Sequence, residues 1–143
     1  MTNRLFDRIL IATDGSDRNR AAVEEALRIG RLCGSTVFAV YVMDLGAFES
    51  ASPDVVIGES WSVIQQEAEG ALARVRSMAE GVRLETAILE GKPGVEIVRF
   101  ATGNTIDLIV IGTQGKRGLE RLLLGSVAEQ VIQSASCRVL VVK

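Results

Sequence analysis

The chain contains no histidine, and its 143 residues include only two cysteines, Cys33 and Cys137. Without histidine it lacks the commonest metal ligand and the commonest general base near neutral pH. Two cysteines are too few for a disulfide scaffold. Each sits in an apolar context at a helix end or strand start, which reads as a buried thiol rather than redox chemistry. No apolar run approaches the roughly 20 residues that a membrane helix needs. Met1 to Asp7 lacks the apolar stretch of a secretory signal, so a cytoplasmic protein without a membrane partner is expected. A formal net charge of -2 offers no global basic face, and nucleic acid is not an expected partner. Internal repeats and low-complexity tracts are also absent.

What is present is the material of one compact domain spanning residues 1–143, with 48% hydrophobic and 24% charged residues. A chain of this length can bury roughly two-thirds of its unfolded surface in a single core. Apolar runs of strand length alternate with helical segments from end to end. Arg8 to Ala12 is the first strand, stopped by the turn-forming Asp14-Gly15-Ser16. Ser16 or Asp17 is placed to cap a helix running to about Cys33, with Ala22, Ala26, Ile29 and Cys33 on one face and Gly34 as its stop. Thr36 to Met43 is the second strand, and an irregular stretch follows from Asp44 to Glu59. A helix from about Ser60 to Glu80 precedes a third strand, Val82 to Leu89, whose polar alternation suits an edge. A short helix from Pro93 to Thr102, a buried strand from Ile106 to Ile111, a helix opening near Ser126 and a last strand from Arg138 to Val142 complete the pattern.

Nearly continuous apolar strands separated by helices specify an open, doubly wound α/β fold. The sheet is parallel, and right-handed crossovers favour the strand order 3-2-1-4-5. Ligands of such sheets bind beyond the carboxyl ends of the strands, where the winding reverses. The segments that meet there are Thr13-Asp14-Gly15-Ser16 and Gly112 to Gly118.

Gly112, Gly115 and Gly125-Ser126 give the spacing G-x-x-G, nine residues, G-S. Glycines after a buried strand let backbone amides approach a phosphate, and the free amides of a helix start favour an anion. Ser126-Val127-Ala128-Glu129 has the form of a capping box, which sets a helix start at Ser126 and commits its hydroxyl to the Glu129 amide. Lys116 and Arg117 add positive charge, and Thr113 and Gln114 add donors. The loop is neither a Walker A sequence nor a G-x-G-x-x-G fingerprint, and no S-G-G-x-D-S loop of an ATP pyrophosphatase is present.

This pattern resembles the nucleotide-binding signature of the universal stress protein family, and the resemblance extends over nearly the whole chain. Ile9 to Ser16 resembles that family's first strand and loop, Ile109 to Thr113 its fourth strand, and Gly125 to Val131 with Cys137 to Val142 its ending. The resemblance implies ATP, or AMP or ADP, as ligand, with a regulatory or stress-response role. It places Ala12, Thr13 and Asp14 along the cleft, Asp14 near ribose and phosphates, and backbone atoms of Val42 at the adenine edge. Gly112, Thr113, Gly115, Lys116, Arg117, Gly125, Ser126 and Val127 would surround the phosphates. Mg or Mn would arrive with those phosphates, held in part by Asp14 or Ser126. A lid role for 44–59 is a further suggestion.

Phosphoryl transfer needs metal ligands and a residue that orients the nucleophile, and Asp14 is the one candidate near the phosphates. No catalytic residue is therefore assigned, and at most weak hydrolysis is expected. The final strand ends the order without a covering element, so a homodimer through that strand is expected, as the family also uses. Trp61, Leu119, Leu122 and Leu123 read as packing residues and Arg121 as solvated. Two alternatives stay open: an interaction module with an empty site, and a slow ATPase.

Overall fold

In the computed structural model, residues 4–44, 57–113 and 124–143 are described, with backbone alone over 57–60. Five strands form one parallel sheet: β1 (Arg8–Ala12), β2 (Thr36–Met43), β3 (Arg83–Glu90), β4 (Leu108–Gly112) and β5 (Arg138–Val142), in the order β3-β2-β1-β4-β5. The order is the one that the alternation of strands and helices leads to. Helices α1 (Arg20–Cys33) and α2 (Ile57–Met78) cover one face, and α3 (Pro93–Gly103) and α4 (Ser126–Ser134) cover the other.

Burial on both faces explains the unbroken apolar strands. Ile9 and Ile11 point into the layer with Val23, Leu27, Leu72 and Val75, whereas Leu10 points into the layer with Ile97, Ile109 and Val131. All three β1 side chains have no exposed area, and each contributes roughly 1.5–3 kcal/mol by burial. At the other extreme, β3 alternates exposed and half-buried residues, as its edge position requires.

Several boundaries differ from the sequence reading, each for a local reason. A short 3-10 turn, Asp17–Asn19, precedes α1, so the helix starts at Arg20 and neither Ser16 nor Asp17 caps it through a side chain. Its buried stripe is Ala22, Val23, Ala26, Leu27 and Gly30, while Ile29 and Cys33 are half-buried at its margin. Gly34 does end the helix, with the left-handed φ of 69° that a C-terminal glycine supplies. Helix α2 stops at Met78, two residues short of Glu80, and β3 is shifted one residue along from Val82 to Leu89. Ile106 donates its amide to Ala101, which keeps it in the turn after α3 and delays β4 to Leu108. Both thiols are half-buried rather than buried. Burial nonetheless pushes the Cys137 thiol pKa up, with the Asp107 carboxylate adding to the rise.

Candidate functional site

The strands differ in length, and that difference makes the site. β1 ends at Ala12 opposite Val40, whereas β2 continues for three residues to Met43. Thr13 donates its amide to the Val40 carbonyl (2.9 Å), so the backbone groups of Val40 face β1. Strand alternation turns the N–H and C=O of Val42 to the same side, past the end of β1. Met43 faces the other way, its carbonyl accepting from Gly91 at 3.0 Å. Val42 therefore presents a donor and an acceptor over the gap, while its half-buried side chain packs on the α3–α4 face.

The loop after β1 is organised by its own side chains. Asp14 Oδ1 accepts from the Ser16 amide (2.9 Å) and from the Ser16 hydroxyl (2.5 Å), an Asx turn that fixes the carboxylate. Thr13 Oγ1 accepts from the Gly15 amide at 3.2 Å. Gly15 has φ 77°, the left-handed conformation that glycine adopts freely. On the α1–α2 side of this loop lies a cavity of about 190 Å³, floored by Val23, Val75 and Met78 and rimmed by Arg20 and Arg74.

Across the gap, the Thr113 amide donates to Val142 on β5 (3.1 Å), and its carbonyl accepts from Gly125 at 2.7 Å. That second bond ties the start of α4 to the end of β4. It also corrects one expectation, because the Gly125 amide is committed to protein and is not free for an anion. The capping box is absent as well: Gly125 is the N-cap, no side chain caps the helix, and the Glu129 amide donates to the Gly125 carbonyl (3.0 Å). The amides of Ser126, Val127 and Ala128 precede that first helical bond and have no partner within the helix. Ser126 is exposed and Val127 half-buried.

Ala12, Thr13, Asp14, Val42, Gly112, Thr113, Gly125, Ser126 and Val127 are thus gathered at one end of the sheet, around the strand-order reversal. Gly115, Lys116 and Arg117, together with Gln114, Gly118, Leu119, Arg121, Leu122 and Leu123, lie outside the described residues. So does most of the 44–59 stretch. Trp61 packs against the core, as its apolar ring suggests. Among the described residues no group of three His, Cys, Asp or Glu side chains could hold a metal ion, and no helix is long and apolar enough to cross a membrane.

Sequence reasoning missed Asn19. It is 6% exposed, its Nδ2 donates to the Ala12 carbonyl (3.2 Å), and its Oδ1 has no partner among the described residues. A signal existed: an asparagine heads the buried stripe that continues through Ala22, Val23 and Ala26.

The model of the universal stress protein family matches residues 5–143. A universal stress protein of Methanocaldococcus jannaschii is 46% identical, over 97% of this chain and 83% of that protein. The solved universal stress protein UspA from Lactobacillus plantarum superposes with a TM-score of 0.85 at 30% identity, covering 99% of this chain and 100% of that one. A universal stress protein from Archaeoglobus fulgidus, solved in complex with dAMP, matches with a TM-score of 0.68 at 26% identity, covering 97% and 99%.

Proposed function

Because the chain belongs to the universal stress protein family, we propose that it binds ATP or a closely related adenine nucleotide across the gap between β2 and β4, as a regulatory protein rather than a catalyst. One observation carries the reading: main-chain groups of two kinds, without partners among the described residues, face the same gap. Val42 offers a neighbouring donor and acceptor, the complement of an adenine edge. The start of α4 offers amides and a helix dipole, the complement of phosphate. From β2 to β4 is two strand spacings, about 10 Å, the order of the reach from base to phosphates. The dAMP complex of the Archaeoglobus relative supports the same ligand class.

Asp14 stands between the two ends, where ribose and phosphates would pass. Its Oδ1 is committed to Ser16, leaving Oδ2 for a ligand hydroxyl or a divalent ion. Mg²⁺ keeps most of its shell as water and phosphate oxygen, so one carboxylate oxygen with the Ser126 hydroxyl suits an ion that enters with the nucleotide. Asp14 is the carboxylate given this place, and binding without fast turnover is the expected behaviour. β5 is the outer strand with half-buried residues from Val139 to Val142, and a homodimer through that edge fits the need to pair it.

The test is calorimetric titration of the purified chain with ATP, together with acid extraction of carried nucleotide and a time course of ATP conversion. Binding with slow or no conversion is the expected result. Steady turnover would favour the slow-ATPase alternative, and no binding the empty interaction module. Gly125→Val is the site variant. The φ of Gly125 is -64°, which any residue adopts, so a loss of affinity with an unchanged fold reports crowding of the ligand rather than backbone strain.

A further inference from the structure

We propose that Asn19 is a positioning residue that holds the ends of β1 and β4 apart, keeping the Gly112 amide available to the nucleotide; the ligand part of this rests on the reading above. The peptide between Ala12 and Thr13 is planar, and its N–H points to β2, where it meets Val40. Its carbonyl, that of Ala12, therefore points to β4. On β4 the Thr113 amide points to β5, so alternation turns the Gly112 amide to β1. The two groups are the next donor and acceptor that the β1–β4 ladder would join. The ladder nevertheless stops at Ile11 and Val110.

Asn19 occupies the place of that missing bond. Asn19 closes the 3-10 turn before α1 with helical φ and ψ (-81° and -15°), so its side chain is not placed to cap the helix. Instead the side chain turns inward and Nδ2 takes the Ala12 carbonyl. This orientation leaves Oδ1 shut from solvent without a partner among the described residues, an arrangement that buried polar groups rarely keep. A residue present only for stability would not adopt it, since closing the ladder would satisfy Ala12 with a main-chain amide and leave no orphaned oxygen. What the wedge preserves is a Gly112 N–H without a partner among the described residues, in the same gap as the Val42 groups and the α4 amides.

Backbone amide hydrogen exchange and ATP titration on the wild-type chain and on Asn19→Ala test this. In the wild type without nucleotide, Gly112 should exchange much faster than Val110 of the same strand and slow when ATP is bound. In Asn19→Ala, Gly112 should be slow without ATP, the midpoint temperature should not fall, and ATP affinity should drop roughly tenfold or more, the loss of one amide–phosphate bond. A Gly112 amide already as protected as Val110 in the free wild type overturns the proposal without recourse to any variant. So does an Asn19→Ala chain that melts earlier with Gly112 exchange unchanged, the behaviour of a plain structural residue, or one that binds ATP as tightly as before. A wild-type chain that takes up no ATP overturns the nucleotide reading and the ligand named here, while the exchange comparison still accepts or rejects the wedge.

Discussion

Gly15→Ala is expected to destabilise the chain by about 2 kcal/mol, although alanine is ordinarily the more stabilising residue. Two terms set that magnitude. An L residue held at φ 77° is disfavoured by roughly 1–2 kcal/mol. A β-carbon there would also lie 3.1 Å from Ala71 Cβ and 2.9 Å from Arg74 Nη2. The guanidinium is the end of a flexible, exposed side chain and can swing aside, so its share is small. The Ala71 contact is with the rigid body of α2, and relieving it adds up to about 1 kcal/mol of overpacking. With an unfolding entropy near 0.3 kcal/mol/K for a chain of this size, the midpoint should fall by roughly 7 °C.

Gly70→Ala supplies a control of opposite sign. Gly70 lies on the exposed side of α2 with nothing within 4 Å of its would-be β-carbon, so helix propensity should stabilise by about 1 kcal/mol. Urea titrations of both variants check the pair. A Gly15→Ala chain within about 0.5 kcal/mol of wild type, the usual range for a surface change, would refute the argument that the loop after β1 is pressed against α2. Rescue by Arg74→Ala would move the blame from Ala71 to the guanidinium.

Thr105 holds φ 53° between α3 and β4, where a β-branched residue is strained, so Thr105→Gly should raise the urea midpoint by about 0.5–1 kcal/mol equivalent. The raised Cys137 pKa means that the folded chain holds the thiol proton more tightly than the unfolded chain does. That contribution is complete below the unfolded thiol value of about 8.5 and fades as pH rises through the folded value. Cys137→Ala should therefore flatten the alkaline limb of the stability profile and leave its neutral region parallel to wild type, as chemical denaturation across pH would show. Asp14→Asn keeps an acceptor for Ser16 and removes the charge, so the midpoint should move by less than about 1 kcal/mol. ATP affinity in Mg²⁺ should fall while affinity in EDTA holds or rises, and equal losses in both titrations would remove the ion from the role given to Asp14.

The fold was legible because its signals are local and repeated. Strands buried on both faces must be apolar throughout, and Gly34 and Pro93 mark helix limits by backbone chemistry that survives in any context. The capping box at Ser126 misled for the opposite reason. A serine followed three residues later by glutamate is a local preference, and the tertiary bond from Gly125 to the Thr113 carbonyl moved the cap one residue earlier. The glycine spacing pointed to Gly112, Gly125 and Ser126, and the family resemblance to Ala12, Thr13, Asp14 and Val42, but Asn19 could not be assigned a role. Its importance depends on where the Ala12 carbonyl points and where the β1–β4 ladder ends, which are facts of register rather than residue type.

A gap formed by unequal strands also constrains what kind of ligand selection is available. β1 stops because Asp14 and Gly15 turn the chain, and β2 runs on because Tyr41, Val42 and Met43 still have β3 to pair with. The groups that result, without partners among the described residues, are mainly main-chain, and they stay in place through side-chain changes that preserve the backbone. Such groups distinguish an edge with one donor and one acceptor from an edge without them, and anion from cation. They distinguish poorly between one phosphate and three, because helix-start amides attract negative charge without counting it. Under the proposed function, discrimination among adenine nucleotides would fall to side chains, and among the described ones to Asp14 first. An equilibrium competition of AMP, ADP and ATP for the wild type and Asp14→Asn should show the spread among the three narrowing once the carboxylate is gone.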